Sequence, residues 1–130
     1  MGSPDDLTPH RNPFRLVDRL RSAEDGVATA ERLVTADDPL IADALPATLV
    51  IEALAQTAAL IAGAEVGQHR GMLVALRDVR VASAATAGDL LSLRAERTGA
   101  LGALHRVTAE ARVGDRLVLG GELTFAIGPA

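Results

Sequence analysis

Three of the four polar side chains in a largely apolar run recur every four residues, and one of them is a carboxyl group. Thr48, Glu52 and Gln56 have this spacing within residues 47–63, and side chains four apart share one face of an α-helix. Burial disfavours the charged form of a carboxyl group, so an acid in apolar surroundings is suited to donate a proton. Glu52 is therefore a candidate proton donor. The alternatives are a buried Glu held by Gln56 in a structural role, and plain packing for Gln56.

The other titratable residues are weaker candidates for chemistry. Asp43, in the loop before the apolar run, could take part in proton transfer or could be a solvated loop residue. We expect His10 to make structural hydrogen bonds, His69 to lie in an exposed loop, and His105 to be half-buried and hydrogen-bonded. The chain has no cysteine, and its His, Asp and Glu residues do not have metal-ligand spacing. We therefore predict that it binds neither a metal nor a cofactor.

Composition limits the kinds of partner that the chain can have. Its net charge is −4, and all 13 basic residues are Arg. A mildly acidic chain without basic clusters is not expected to bind nucleic acid or an anionic membrane surface. Its 130 residues predict one domain over residues 9–130, after a polar tail at 1–8. Because no basic, apolar leader is evident, we expect a cytoplasmic protein.

The elements that must position Glu52 follow from the pattern of apolar residues. Pro46 stands where a helix over residues 47–63 should begin, and residues 63–70 form a polar exit loop. The predicted strands cover residues 14–20, 27–36, 72–81, 90–97, 103–113 and 116–127. Turns are expected at 22–26, 87–89, 98–102 and 114–115, with a bulge or bend at Gly120–Gly121. A helix that is apolar on nearly every side requires a sheet that curls around it, which predicts an α+β fold.

Two longer motifs resemble a known family. The segments Pro9–Arg19 (PHRNPFRLVDR) and Pro46–Gln56 (PATLVIEALAQ) are similar to the opening and central-helix motifs of FabZ-type β-hydroxyacyl-acyl-carrier-protein dehydratases. The turn at Ala87–Asp89 stands where that family has a PGD turn. The resemblance covers about residues 8–127. It implies the hotdog fold, a curved antiparallel sheet wrapped around one long central helix.

The resemblance also implies roles for residues in a site shared between subunits. In the family, a His in the loop before the helix acts as base, the helix carboxylate assists departure of the hydroxyl, and a backbone N–H at the helix start polarises the thioester. The resemblance places the carboxylate role on Glu52, with Gln56 one turn later to orient it. It places the thioester-binding N–H at Ala47. Here the loop is shorter and lacks His, which leaves Asp43 as a possible substitute acid. This pattern is similar to a diverged, ApeP-like branch.

Three functions remain open from the sequence. The chain could be a dehydratase homologue with little activity of its own, a non-catalytic or half-site subunit of another hotdog dehydratase, or a hotdog thioesterase. The implied partners are an acyl-carrier protein or acyl-coenzyme A thioester, with homodimer or heterodimer formation. Arg70, Arg77 and Arg80 could meet an acidic carrier protein or could form a solvated strand face.

Overall fold

The computed structural model describes residues 19–35, 44–66 and 69–129. The elements are, in chain order, β1 (Arg19–Glu24), β2 (Val27–Leu33), α1 (Ala47–Val66), β3 (His69–Val81), β4 (Leu90–Leu101), β5 (Leu104–Val113) and β6 (Arg116–Pro129). The strands form one antiparallel sheet in the order β1-β2-β4-β5-β6-β3. Helix α1 contacts all six strands. The predicted order of two strands, one helix and four strands is confirmed, as is the hotdog arrangement.

The core lies between α1 and the inner face of the sheet. Along β4, Leu91, Leu93 and Ala95 are buried, while the side chains between them point away from the helix. Most of the helix surface is buried against this face. Small alanines on both sides, such as Ala53 and Ala109, are fully or almost fully buried, and they allow the backbones to approach closely. The prediction of a largely buried helix is confirmed.

Helix α1 is longer than the sequence predicted. It begins at Ala47 as expected but continues through Gly63 to Val66, and β3 starts at His69. The predicted exit loop over residues 63–70 is therefore wrong, and His69 lies in a strand. A glycine in a helix costs only about 1 kcal/mol relative to alanine, which is too little to end a helix that is held by packing.

The hairpin turns are tighter than predicted. Glu24 pairs with Val27, so the turn between β1 and β2 contains only Asp25 and Gly26. Both have positive φ, 55° and 76°, which matches the twist of a two-residue hairpin. The predicted turn over residues 98–102 also shrinks, to Gly102–Ala103. In both hairpins the polar residues that the prediction placed in the turn extend the strand instead, because cross-strand hydrogen bonds satisfy their backbones.

A bulge in β3 lies opposite the glycine pair of β6. Arg77 pairs with Glu122 and Arg80 with Gly120, so both Asp78 and Val79 face Gly121. Asp78 has a φ of 54°, the left-handed conformation that lets the extra residue fit. A Cβ at Gly121 would lie 3.0 Å from Val79 Cγ2 and 3.2 Å from Val79 Cα. The irregularity predicted near Gly120–Gly121 is present, and the extra residue belongs to the neighbouring strand.

Replacing Gly121 by alanine is expected to destabilise the protein by about 1–3 kcal/mol, because the added methyl group would push against the backbone of the bulge. The matched control is Gly99→Ala in β4, where a Cβ would meet nothing within 4 Å. We expect the control to be close to neutral. Urea unfolding at one protein concentration measures both. Equal losses in the two variants would contradict the close approach at the bulge.

Candidate active site

The start of α1 is set by Pro46. Its carbonyl accepts hydrogen bonds from the N–H groups of Leu49 and Val50, at 3.0 and 3.1 Å. The first N–H groups of a helix have no partner within the helix, so they can bind an external oxygen. Ala47 is the first helical residue and is half-buried. Thr48 lies inside the first turn, is exposed, and its hydroxyl makes no hydrogen bond to a described residue.

The three side chains with four-residue spacing do not all lie on the same face of α1. Thr48 and Glu52 are exposed, whereas Gln56 is only 2% exposed and is engaged in a contact. With 3.6 residues per turn, each step of four rotates the side chain by about 40°. From Thr48 to Gln56 the direction of the side chain therefore turns by about 80°, which takes it from solvent into the core. The prediction that all three residues share one face was wrong.

Glu52 is placed differently from the expectation of a buried acid. Its side chain is exposed in the isolated chain, and it makes no hydrogen bond or ion pair with any residue in the described ranges. The described part of this chain therefore does not supply the apolar surroundings that would favour a proton donor. Gln56, one turn later on α1, is buried instead of exposed. A carboxylate in this position is available to a substrate or to a second subunit.

An apolar gap lies between α1 and the β3–β6 pair, next to Glu52 in sequence. Ile51 and Leu54 line it from the helix, and Leu76, Val79 and Leu123 are among the strand residues around it. Its volume is about 10 Å³, less than one water molecule requires. The described part of the isolated chain thus has no room in this gap for an acyl chain.

Strand β3 is an edge strand with apolar side chains in solvent. Val74, Leu76, Val79 and Val81 are 51%, 44%, 39% and 60% exposed. An unpaired edge that is also apolar is a surface that other strands can pair with. It borders the same gap as Ile51, so the edge and the helix flank form one continuous surface. We call this surface the β3 edge.

The histidines and Asp43 do not join Glu52 in the described structure. His10 and Asp43 lie outside the described residues, and the side chain of His69 is not described. His105 is half-buried on β5, as predicted, but the expected hydrogen bond is missing: its buried Nδ1 has no hydrogen-bond partner in the described part of the chain.

Two larger concave regions lie away from α1. One, of about 370 Å³, is on the face of the sheet turned away from the helix. Part of its charge is paired within the region: Arg112 donates to Glu110 at 3.1 and 3.2 Å, and this hydrogen-bonded pair raises the pKa of Arg112. The other, of about 300 Å³, lies beside the β4–β5 hairpin. Neither presents a carboxylate that is free to act on a substrate.

Two kinds of feature are not found in the described ranges. No group of three or more His, Cys, Asp or Glu side chains there is arranged to hold a metal ion. In those ranges α1 is also not apolar enough over a sufficient length to cross a bilayer.

Comparison with known proteins identifies the family. Residues 2–125 match the ApeP-like family, described as ApeP dehydratase. The chain belongs to the ApeP-like dehydratase family. The ApeP-like chain is also similar to curated 3-hydroxyacyl-acyl-carrier-protein dehydratases FabZ. It is 34% identical to the one from Macrococcus caseolyticus and 36% identical to the one from Chloroflexus aggregans, with 93% of this chain and 90% of each relative covered.

Solved structures support the hotdog fold of this ApeP-like dehydratase. The dehydratase heterocomplex ApeI:P from Xenorhabdus doucetiae matches with a TM-score of 0.87 at 20% identity, covering 98% of this chain and 92% of that one. A hypothetical thioesterase from Streptococcus pneumoniae, solved with coenzyme A, matches with a TM-score of 0.74 at 12% identity, covering 85% of each chain. At these identities the likeness concerns the fold.

Sequence reasoning missed two features of this ApeP-like dehydratase. Arg32 is only 6% exposed on β2, although arginine is seldom buried. Its position in the alternating pattern of β2, between Ala30 and Val34, was the available signal. The second feature is a network that joins Arg116 to Asp89 and Ser83, in the segment between β3 and β4. The turn Ala87–Asp89 was predicted and is confirmed, but nothing in its sequence showed that an arginine 27 residues later (116 − 89) contacts it.

Proposed function

We propose that this chain supplies the carboxylate half of a β-hydroxyacyl-thioester dehydratase site and that another hotdog subunit supplies the base. Glu52 provides the acid, the N–H groups at Ala47 provide the thioester-binding donors, and Gln56 supports the helix from inside. Asp43 remains a possible substitute acid from the shortened loop.

The observation that carries this proposal is the exposure of the Glu52 side chain. The carboxylate is exposed and unpaired among the described residues, and the residue before it, Ile51, lines an apolar gap that is too small for substrate. A second subunit on the β3 edge would cover the carboxylate with apolar surface and would widen the gap into a shared pocket. Burial of this kind favours the protonated carboxyl group, which is the form that a departing hydroxyl needs.

The proposed reaction divides between the two subunits. The base, on the other subunit, removes a proton from the carbon next to the thioester carbonyl. The electrons form the carbon–carbon double bond as the β-hydroxyl leaves with a proton from Glu52, so water and an enoyl thioester result. The helix N–H groups near Ala47 stabilise the negative charge that develops on the thioester oxygen.

The surface around β3 supports a protein partner. It combines an unpaired edge with exposed apolar side chains, and the related ApeI:P structure is a heterocomplex. Arg77 and Arg80 on the same strand form no ion pair with a described residue, which leaves them available to an acidic acyl-carrier protein. The cytoplasmic location predicted from the sequence remains part of this proposal.

A reconstitution assay tests the function. The chain is incubated with a β-hydroxyacyl thioester alone and then with a hotdog dehydratase subunit that carries the loop His, and the enoyl product is followed. Turnover that requires both chains is the expected result. Full activity of the chain by itself would contradict the shared site. Release of free thiol in place of enoyl product would indicate the thioesterase alternative.

Placing a charge on the β3 edge is expected to weaken subunit association. Leu76→Arg puts a guanidinium in the apolar part of this surface, where desolvating it without a partner costs several kcal/mol. Sedimentation should show monomers at micromolar concentrations where the unmodified chain is associated.

Leu90→Arg is the matched control for this variant. Leu90 is 47% exposed and Leu76 is 44% exposed, but Leu90 lies on β4, away from the edge. The control should associate normally. If both variants, or neither, dissociate, the β3 edge is not the interface.

A further inference from the structure

The loop between β3 and β4, residues 82–89, holds the chain on both sides of the shortened loop. The Leu45 N–H donates to the Ala85 carbonyl at 2.9 Å, just before the helix begins. Val34, which follows β2, donates to the Asp89 carbonyl at 2.9 Å and accepts from the Gly88 N–H at 2.7 Å. Val34, Leu45 and Ala85 are at most 5% exposed, so the Leu45–Ala85 bond is buried, whereas Gly88 at the other end of the loop is exposed.

The 82–89 loop has no regular structure of its own and is held by side chains. The Asp89 carboxylate accepts from the Thr86 N–H at 2.8 Å, which closes the turn. Gly88 has a φ of 95°, which side-chain-bearing residues rarely adopt. Ala82 and Ser83 donate their N–H groups to the Val118 carbonyl, at 2.9 and 3.3 Å. The loop is thus attached to β6 at one end and closed on itself at the other.

Arg116, the first residue of β6, contacts both ends of the 82–89 loop. Its Nη1 donates to Ser83 Oγ and to the Ala84 carbonyl, each at 2.8 Å. Its Nη2 lies 3.5 Å from Asp89 Oδ2. Ser83 Oγ in turn donates to the Leu117 carbonyl at 2.6 Å. The planar guanidinium carries its donors on separate nitrogens in a rigid fork, so Nη1 and Nη2 reach different acceptors, whereas the donors of an ammonium all start from one freely rotating nitrogen.

We infer that Arg116 is a positioning residue: through the 82–89 loop it holds Leu45 and thereby fixes the position of the N-terminus of α1 relative to the sheet. Only Pro46, whose φ is restricted by its ring, separates Leu45 from the helix. A shift at Leu45 therefore moves the helix N–H groups and Glu52 together. This inference rests on the proposed function for its catalytic consequence, but the mechanical link can be measured without any activity.

Amide hydrogen exchange measured by NMR on the full chain tests the link. In Arg116→Ala, the Leu45 and Val34 amides should exchange about tenfold faster, since the loop loses its hydrogen bonds to the guanidinium. Amides of the central strand β5 should keep their rates. Arg116→Lys should restore part of the protection, because it keeps the charge but cannot reach all three acceptors.

Arg106→Ala is the matched control. Arg106 also forms a 3.5 Å ion pair, with Glu122, and is similarly exposed, but it does not touch the 82–89 loop. Its removal should leave Leu45 unchanged. The inference is overturned if Leu45 exchange is unaffected in Arg116→Ala, or if the β5 amides accelerate equally, which would indicate global destabilisation.

The catalytic consequence is read in the reconstituted complex. Arg116→Ala should lower kcat severalfold with a smaller change in KM, because the helix donors act mainly on the charge that forms in the transition state. Faster exchange of the Leu45 amide with unchanged kcat would refute the positioning role. If the unmodified chain turns over in no pairing, the proposed function fails, while the exchange rates still decide whether Arg116 holds the helix start.

Discussion

Glu52→Gln is expected to lower the turnover of the reconstituted complex by about 100-fold or more. Glutamine has nearly the same size and shape as glutamate but cannot give up a proton to the departing hydroxyl. Because the side chain is exposed and makes no polar contact within the described residues, its replacement should not change the stability of the isolated chain. The measurement is the rate of enoyl-thioester formation together with the melting temperature of each variant.

The control for Glu52→Gln is Thr48→Ala. Thr48 is exposed on the helix one turn before Glu52, and its hydroxyl likewise makes no hydrogen bond to a described residue. It should keep most of the activity. Equal rates for the unmodified complex and Glu52→Gln would remove Glu52 from the mechanism and would leave this chain a supporting role in the complex.

Leu54→Ala is expected to reduce the free energy of unfolding by about 2–5 kcal/mol. Leu54 is 1% exposed, faces the sheet from the middle of α1, and lines the apolar gap beside β3. Truncating it removes apolar contacts and leaves a cavity that the surrounding strands cannot fully close. Urea unfolding at one fixed protein concentration gives the difference, because association would otherwise alter the apparent stability.

The same substitution at Leu101 provides the contrast. Leu101 is 81% exposed at the end of β4, so Leu101→Ala should change the stability by less than about 0.5 kcal/mol. If both leucine variants lost similar amounts, α1 would not be the centre of the core, and the hotdog arrangement would have to be reconsidered.

Predictions of elements succeeded where one local pattern dominated. The helix start after Pro46 and the turns at 87–89 and 114–115 were confirmed, because proline and glycine restrict the backbone in ways that neighbours seldom override. The alternation of apolar residues along β4 correctly separated its buried from its exposed face. Strand ends were less predictable, because pairing with a neighbouring strand decides how far each one extends.

The candidate site was only partly predictable. The motif Pro46–Gln56 identified the right helix and led to the family that the comparisons confirm. It did not show that Glu52 is exposed while Gln56 is buried, because that depends on how α1 is rotated against the sheet. It also gave no sign of Arg116, which lies 71 residues after Leu45 (116 − 45) and meets the 82–89 loop only in the folded chain.

The order of residues by itself determined the order of strands and helix, the burial of that helix and the family, since these follow from local periodicity and from motifs that are contiguous in the chain. The tertiary structure alone decided the rotation of α1, the bulge opposite Gly121 and the contacts that hold the helix start. Each of these depends on close packing between segments far apart in sequence, where a shift of about one ångström decides which side chain faces solvent and which backbone groups meet.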